Sequence, residues 1–316
     1  SLFLFCGKRA DRIKAVHYEE DGFCLLYKRY ENGRLQWPRT GEEAKQISEQ
    51  QLRWLLEGLN PEQPKAVVCR LKEELLKQHH LHIDETHVQV LKEPGRKNTA
   101  DSYMWVYCSM KDAKNPVRYF EYQPGRGGKY PEAFLKGYDG YIHTDAYSGY
   151  NGLSGVKRCL CYTHLRRAFV DALPKDVHTP EASKPAEAIL WLNKLFNIEA
   201  ELEDLSPEQK KKERLIREKP LLEAFWAWAE KSAASELPKS KLSKAFYYAL
   251  NNRQEFFNYL EDGHCSISNS LAENCIRPFV IGRKNWLFAG SPKGAAASAG
   301  IYTLVETAKA NGLAPM

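Results

Sequence analysis

The sequence predicts an α/β protein: a mixed sheet flanked by helices, carrying an all-helical insertion and preceded by a small N-terminal α+β domain. Three observations predict it. Residues 1–60 are short β-rich runs separated by turn residues and followed by one helical pattern. Residues from about 81 to 165 alternate strand and helix patterns, and those from about 165 to 262 keep a helical period throughout. At about 150 residues per domain, a chain of 316 residues corresponds to two domains.

The N-terminal strands are Leu2–Phe5, Ala15–His17 and Phe23–Tyr27. Gly7, Asp21-Gly22 and Asn32-Gly33 mark the turns, because Asp-Gly and Asn-Gly tolerate positive φ. Ser48 is placed to cap a helix over Glu49–Gly58, with Leu52, Leu55, Leu56 and Leu59 on one face. A Pro-containing stretch from Asn60 opens a linker over residues 61–80. Strand patterns follow at His82–Leu91, Tyr103–Ser109 and Val117–Tyr122. A short helix at Pro131–Lys136 then leads to strands at Tyr141–Thr144 and Val156–Tyr162. Helical periodicity covers Leu165–Leu173, Pro185–Leu205, Pro207–Lys231 and Leu242–Leu260. A helix over about 269–281, a β-like Trp286–Ala289 and an Ala-rich helix Ala295–Ala310 end the chain. The domain bounds are therefore 1–60, a linker 61–80 and a core 81–316.

A composition of 43% hydrophobic and 27% charged residues excludes disordered and fibrous classes. No run of 18 apolar residues exists, so no membrane partner is expected. The first residues lack a basic leader, and eight cysteines are far below disulfide-scaffold density, so a cytoplasmic, reduced protein is expected. A chain that begins inside a longer reading frame is the expectation that a start without Met raises. The net charge of +6 permits a polyanionic partner. Residues 1–63 carry ten basic and ten acidic residues, so the whole excess belongs to the remainder.

Three carboxylates stand apart from the surface background. Asp84 lies in a strand pattern (His82-Ile83-Asp84-Glu85-Thr86), and Asp145 directly follows another (Tyr141-Ile142-His143-Thr144-Asp145). Glu273 lies near the start of a helix. An acid within an apolar strand is costly unless paired or bound to a metal. Adjacent strands lie about 4.8 Å apart, so two such acids can share a pair of divalent cations about 3.5–4 Å apart. A third acid completes an oxygen shell that suits Mg²⁺. An isolated strand Asp is more often an edge residue or turn cap, and Asp101, Asp139 and Asp171 are acids of that kind. Alternation puts Glu85 on the opposite face from Asp84.

These residues carry a resemblance. The segments His82–Thr86, Gly140–Tyr150 (GYIHTDAYSGY), Cys161–Phe169 (CYTHLRRAF), Ala272–Pro278 (AENCIRP) and Gly282–Ser291 (GRKNWLFAGS) resemble the core of insertion-sequence family 66 transposases, in order, over about 82–314. The resemblance implies an RNase H-like domain with a DDE triad, here Asp84, Asp145 and Glu273. The 127 residues between Asp145 and Glu273 would hold the helical insertion. Residues 1–60 resemble the small accessory protein of the same elements, through Phe3–Arg9, Asp11–Lys14, Gly22-Phe23, Leu25–Arg29, Trp37-Pro38 and Leu52–Leu59. The boundary near 60–80 reads as a junction between two products of one mobile element.

The resemblance implies a DNA transposase that cleaves and joins insertion-sequence ends, with two Mg²⁺ (or Mn²⁺) ions held by Asp84, Asp145 and Glu273. DNA is the partner, at element ends and target, and a homo-oligomer on paired ends is the expected acting form. Arg277 falls one turn after Glu273, and Arg283 and Lys284 extend a strip with no acid between 274 and 305, so these three are expected to contact DNA phosphates. Arg166 and Arg167 carry the same expectation with less force. The run Lys210-Lys211-Lys212-Glu213-Arg214 reads as a solvated helix face. Cys159, Cys161 and His164 could seed a zinc site that His264, Cys265 and Cys275 complete, but buried Cys and hydrogen-bonded His are commoner, so zinc is not expected. The histidines flanking Asp84, and Trp226 and Trp228, read as structural. Family members place a long recognition region before the first Asp. Only about 20 residues, Pro64–Leu81, stand there, and no Cys-x-x-Cys occurs. The alternative expectation is therefore a catalytically inactive or repurposed DNA-binding remnant without the end-recognition region.

Overall fold

Strand-forming runs between turn residues build a first, antiparallel sheet of β1 (Leu2–Cys6), β2 (Arg12–Glu19) and β3 (Gly22–Arg29). The register sets Glu19 opposite Gly22, so the turn expected at Asp21-Gly22 closes the hairpin. Ile13 and Leu55 are buried here, and the Tyr30 hydroxyl donates to the Leu55 carbonyl at 3.0 Å. The structure, a computed structural model, describes residues 2–7, 9–19, 21–30, 37, 47, 51, 52, 55, 63–174 and 183–314. The Asn32-Gly33 turn lies outside these residues. Of the helix expected over Glu49–Gly58, only Gln51, Leu52 and Leu55 are described, and they are helical.

The chain divides into two compact units, residues 1–70 and 71–316. Helix α1 (Gln63–Leu76) occupies most of the stretch read as a linker. In the second unit, β4 (His80–Val90), β5 (Asp101–Ser109) and β6 (Arg118–Gln123) pair antiparallel. Helix α2 (Lys129–Phe134) precedes β7 (Tyr141–Thr144) and β8 (Lys157–Leu160), which are parallel to β4 and to each other. The spatial order is β6-β5-β4-β7-β8, a mixed sheet with β4 at its centre.

Alternation along β4 assigns its two faces. Leu81 and Ile83 join Trp105, Tyr107 and Phe134 on one side. Val88 and Val90 join Met104, Val106, Phe120 and Phe279 on the other.

Helices α3 (Tyr162–Val170), α4 (Lys184–Glu201), α5 (Pro207–Glu213), α6 (Lys219–Ala233), α7 (Lys241–Asn251) and α8 (Arg253–Phe257) form the insertion. Its core of Phe169, Phe225, Trp226, Phe246, Phe256 and Tyr259 is continuous with Tyr141, Cys159 and Leu160 of the sheet. Trp226 is fully buried, as the structural reading required. The chain returns through α9 (Ser270–Trp286), β9 (Phe288–Ala289) and α10 (Pro292–Ala310).

One charge departs from expectation. Lys211 and Lys212 are exposed, but Arg214 is 1% exposed. The π-helical turn Arg214–Glu218 joins α5 to α6 and turns Arg214 inward. Its guanidinium donates to both Glu199 carboxylate oxygens (2.5 and 2.9 Å) and to the Asp262 and Cys265 carbonyls (3.3 and 2.9 Å). A buried guanidinium needs such a full set of acceptors, and only the tertiary fold supplies them.

Helix α10 protects the sheet edge. Thr303 and Thr307 lie one turn apart, and their hydroxyls accept from the Phe120 and Arg118 amides of β6 at 2.8 and 3.0 Å. Edge amides that would otherwise template aggregation are thereby satisfied. Thr303→Val, which keeps shape but removes the acceptor, is expected to lower stability by about 1–3 kcal/mol in urea titration. An unchanged midpoint would count against this role.

Candidate active site

The central strand is paired discontinuously on one flank. β7 accompanies β4 only as far as His82, opposite His143, and β9 joins it again only at Gln89, opposite Phe288. Between these points the β4 backbone lacks a strand neighbour, and α9 supplies the missing hydrogen bonds at both ends. Asn269, the residue before α9 and 2% exposed, donates from Nδ2 to the Ile83 carbonyl at 2.8 Å, and its Oδ1 meets His82 Nδ1 at 3.0 Å. At the far end of the helix, Arg283 Nη1 donates to Thr86 Oγ1 at 2.9 Å and to the His87 carbonyl. Burial holds His82 neutral, with its pKa lowered to about 4, which suits it to the amide oxygen.

Asp84 lies in this gap, and its Oδ1 accepts from the neighbouring Glu85 amide at 2.9 Å. The β4–β7 ladder ends at His82–His143, so Asp84 and Asp145 each follow the last pair by two residues, at matching positions on neighbouring parallel chains. Docking α9 through Asn269 brings in Glu273, one turn into that helix. Burial is the main cause that pushes the Asp84 carboxyl up to about 7, and the negative charges of Glu85, Asp145 and Glu273 add to it. Asp145 and Glu273, the other two carboxylates singled out in the sequence, thus lie within electrostatic reach of Asp84. Glu273 Oε1 is buried without a hydrogen-bond partner among the described residues, with His164 Nε2 at 3.7 Å.

Glu85, Arg126, Cys161 and His164 complete the surroundings. Glu85 points to the other face, as alternation required. There it accepts from Arg126 Nε and the Tyr150 hydroxyl, each at 2.6 Å. Arg126 also reaches Asp145, with Nη2 3.9 Å from Oδ2, and lies over the Tyr147 ring at 3.8 Å. Cys161, His164 and Glu273 bring one donor atom each within 4.8 Å of one another. Burial opposes ionisation of the Cys161 thiol, but hydrogen bonds from His164 and the Asn269 amide leave its pKa below the ordinary value. The His164 pKa is raised by its bond to Cys161, with Glu273 and Asp145 adding to it. No local sequence signal marks Arg126 or Asn269, because each acts across a long sequence separation.

The basic residues singled out in the sequence divide into two groups. Arg277, Lys284 and Arg167 are exposed. Arg283 is committed to β4, as described, and Arg166 Nε donates to Asn193 Oδ1 of α4 at 2.8 Å. No helix among the described residues is long and apolar enough to cross a membrane.

Comparison with known proteins yields two overlapping matches. Residues 41–297 match the transposase IS66 family, and residues 1–66 match the IS66 Orf2 like protein family. The transposase match thus begins well before residue 82. Relatives include the uncharacterized proteins y4qI and y4hP of Sinorhizobium fredii. The first is 29% identical over 248 residues, covering 74% of this chain and 45% of that protein. The second is 27% identical over 254 residues, covering 74% and 46%. A third, the uncharacterized protein y4hO of the same organism, is 36% identical over 64 residues, covering 20% of this chain and 56% of its own length. The chain spans about half the length of these curated relatives. No solved structure matches it significantly.

Two outcomes follow from this geometry. Asn269→Ala strands the Ile83 carbonyl and the His82 ring, and is expected to cost about 2–3 kcal/mol in chemical denaturation. Asp84 has a folded pKa above its unfolded value near 4, so its neutral form adds stability below that unfolded value, and this is lost as pH rises through about 7. Without divalent metal, wild type should lose stability relative to Asp84→Asn between pH 4 and 8, by on the order of 3 kcal/mol. Urea midpoints of the two proteins that run parallel across this range would refute the shift.

Proposed function

The chain belongs to the IS66 transposase family, and on that premise we propose that residues 71–316 form an RNase H-like core that cleaves and joins DNA at insertion-sequence ends. The observation that carries the reading is the gathering of Asp84, Asp145 and Glu273 around the gap in β4. The strand order supports the RNase H-like assignment: three antiparallel strands, with two parallel strands added beside the first.

The three acids are proposed as a DDE triad that holds two Mg²⁺ or Mn²⁺ ions. The donor set fits hard cations, because the three triad carboxylates supply only oxygen donors and one of them, Glu273 Oε1, is buried and accepts no hydrogen bond among the described residues. When bound, such ions supply a polarised water or DNA 3′-hydroxyl and stabilisation of the leaving oxygen. The chain's own contribution is positional. Asp84 is oriented by the Glu85 amide, Asp145 by the Tyr147 amide at 3.0 Å, and Glu273 by the docking of α9 through Asn269. Arg126 holds positive charge beside Asp145 and orients Glu85 away from the centre. No Ser, Tyr or Cys nucleophile is needed, since the attacking oxygen belongs to water or DNA.

Arg277, Lys284 and Arg167 are proposed to contact DNA phosphates, while Arg283 and Arg166 fix the elements that carry them. DNA is the proposed partner, at element ends and at the target, with a homo-oligomer acting on paired ends. This reading is preferred to a catalytically inactive remnant because Asp84 feels the charges of both Asp145 and Glu273.

The test uses purified full chain, Mg²⁺ or Mn²⁺ and labelled duplexes bearing the element's own ends. Asp84→Asn and Glu273→Gln are expected to lower strand cleavage by at least about 100-fold, equivalent to about 2.7 kcal/mol. Equal cleavage by wild type and variants would sink the triad. Arg277→Ala and Lys284→Ala are each expected to weaken DNA binding on any sequence and to reduce the salt slope by about one.

A further inference from the structure

A second cluster lies on the same face of the sheet as Asp84, further back along the strands. His143 and Cys159 are register partners on β7 and β8, so their side chains share a face. Cys265 approaches that face from the segment between the insertion and α9. All three residues are buried, and one donor atom of each lies within 4.8 Å of the others. The Cys159 and Cys265 sulfurs are 3.9 Å apart.

We propose that Cys159, Cys265 and His143 hold a structural zinc ion, which staples the 262–269 segment to β7 and β8. Two thiolates each about 2.3 Å from a tetrahedral zinc lie about 3.8 Å apart, close to the separation found. His143 already has the arrangement of a zinc ligand. Its Nδ1 meets the Leu81 carbonyl at 3.1 Å, which fixes the ring and directs Nε2 toward the cysteines. Burial lowers the pKa of His143, so the ring is in the neutral form that a metal requires. The Ser266 amide donates to Nε2 at 2.9 Å, and zinc takes over that lone pair.

His80 lies beside this cluster in a separate group with Asp262 and His264, whose donor atoms lie within 4.8 Å of one another. Its Nε2 is buried and makes no hydrogen bond among the described residues. Asp262 Oδ2 lies 3.1 Å from it. The sequence names Cys159 and Cys265 among its candidate ligands but not His143, which the β7–β8 register brings to them. Zinc here binds soft sulfur and nitrogen donors, and so differs in kind from the three carboxylates of the proposed triad. On binding, both thiols release their protons to solvent and no redox change occurs.

The experiment measures zinc in the full-length chain by elemental mass spectrometry after purification without chelator. About one zinc per chain is expected, retained when Cys6, Cys24 and Cys69 are changed to Ser and lost in Cys159→Ser/Cys265→Ser. Should the double variant fail to fold, cobalt substitution of the wild-type chain decides the matter. The expected spectrum has the intense visible bands of a tetrahedral site and a near-ultraviolet thiolate-to-cobalt charge-transfer band. A wild-type chain without zinc, a cobalt spectrum lacking thiolate charge transfer, or unchanged zinc in the double variant would overturn the proposal. Asp84→Asn is expected to leave zinc content unaltered. Loss of zinc in Asp84→Asn with retention in the cysteine variant would assign the metal to the acids and likewise overturn it.

Discussion

The second unit depends on how one strand satisfies its backbone. β4 is the centre of the sheet, but on one flank its strand neighbours leave a gap between His82 and Gln89. Buried carbonyls without partners are costly, so the gap has to be closed by something other than a strand. Helix α9 closes it, with the Asn269 amide on the Ile83 carbonyl at one end and the Arg283 guanidinium on the His87 carbonyl at the other. Those contacts fix the axial position of the helix and therefore the position of Glu273. Pro278 lies within this helix and interrupts its internal ladder. The helix nevertheless runs on to Trp286, five residues past the end read from its sequence, because Arg283 ties its last turns to β4.

The same gap explains why two adjacent acids have different roles. In the gap the Asp84 carboxylate accepts from the Glu85 amide and stands beside Asp145 and Glu273. Glu85, one residue on, points through the sheet to Arg126 and Tyr150, where its charge is matched and both oxygens are bonded. Strand alternation therefore separates a carboxylate bonded to Arg126 and Tyr150 from one whose charge is disfavoured by burial and by neighbouring acids. A cation relieves that cost, and this links the hydrogen-bond pattern of β4 to the proposed chemistry.

What the sequence disclosed follows the range of the interactions involved. Alternation and turn chemistry are local, so β4 to β8 and the position of Asp145 after a strand were legible. The opposite orientations of Asp84 and Glu85 followed from alternation alone. Asn269 looked like an ordinary residue before a helix, because its value comes from the Ile83 carbonyl, 186 positions away. Arg126 lies in a loop between elements, and its partners Glu85 and Asp145 are set by the sheet order. Arg214 was misread for the same reason. A basic run predicts a solvated face, and only the π-helical turn together with carbonyls from the 258–265 stretch shows that one member of the run is buried.

Arg214 also shows that the helical insertion cannot be treated as an independent appendage. Its guanidinium holds the carbonyls of Asp262 and Cys265, four to seven residues before Asn269. The insertion core shares Tyr141, Cys159 and Leu160 with the sheet. The segment that delivers α9 is thus gripped from one side by the insertion and from the other by β7, through the bond from the Ser266 amide to His143. A change that loosens the insertion removes support from this segment, and α9 then holds its place on β4 through fewer constraints. The position of Glu273 is therefore set jointly by the gap in β4 and by the packing of helices that lie outside the sheet.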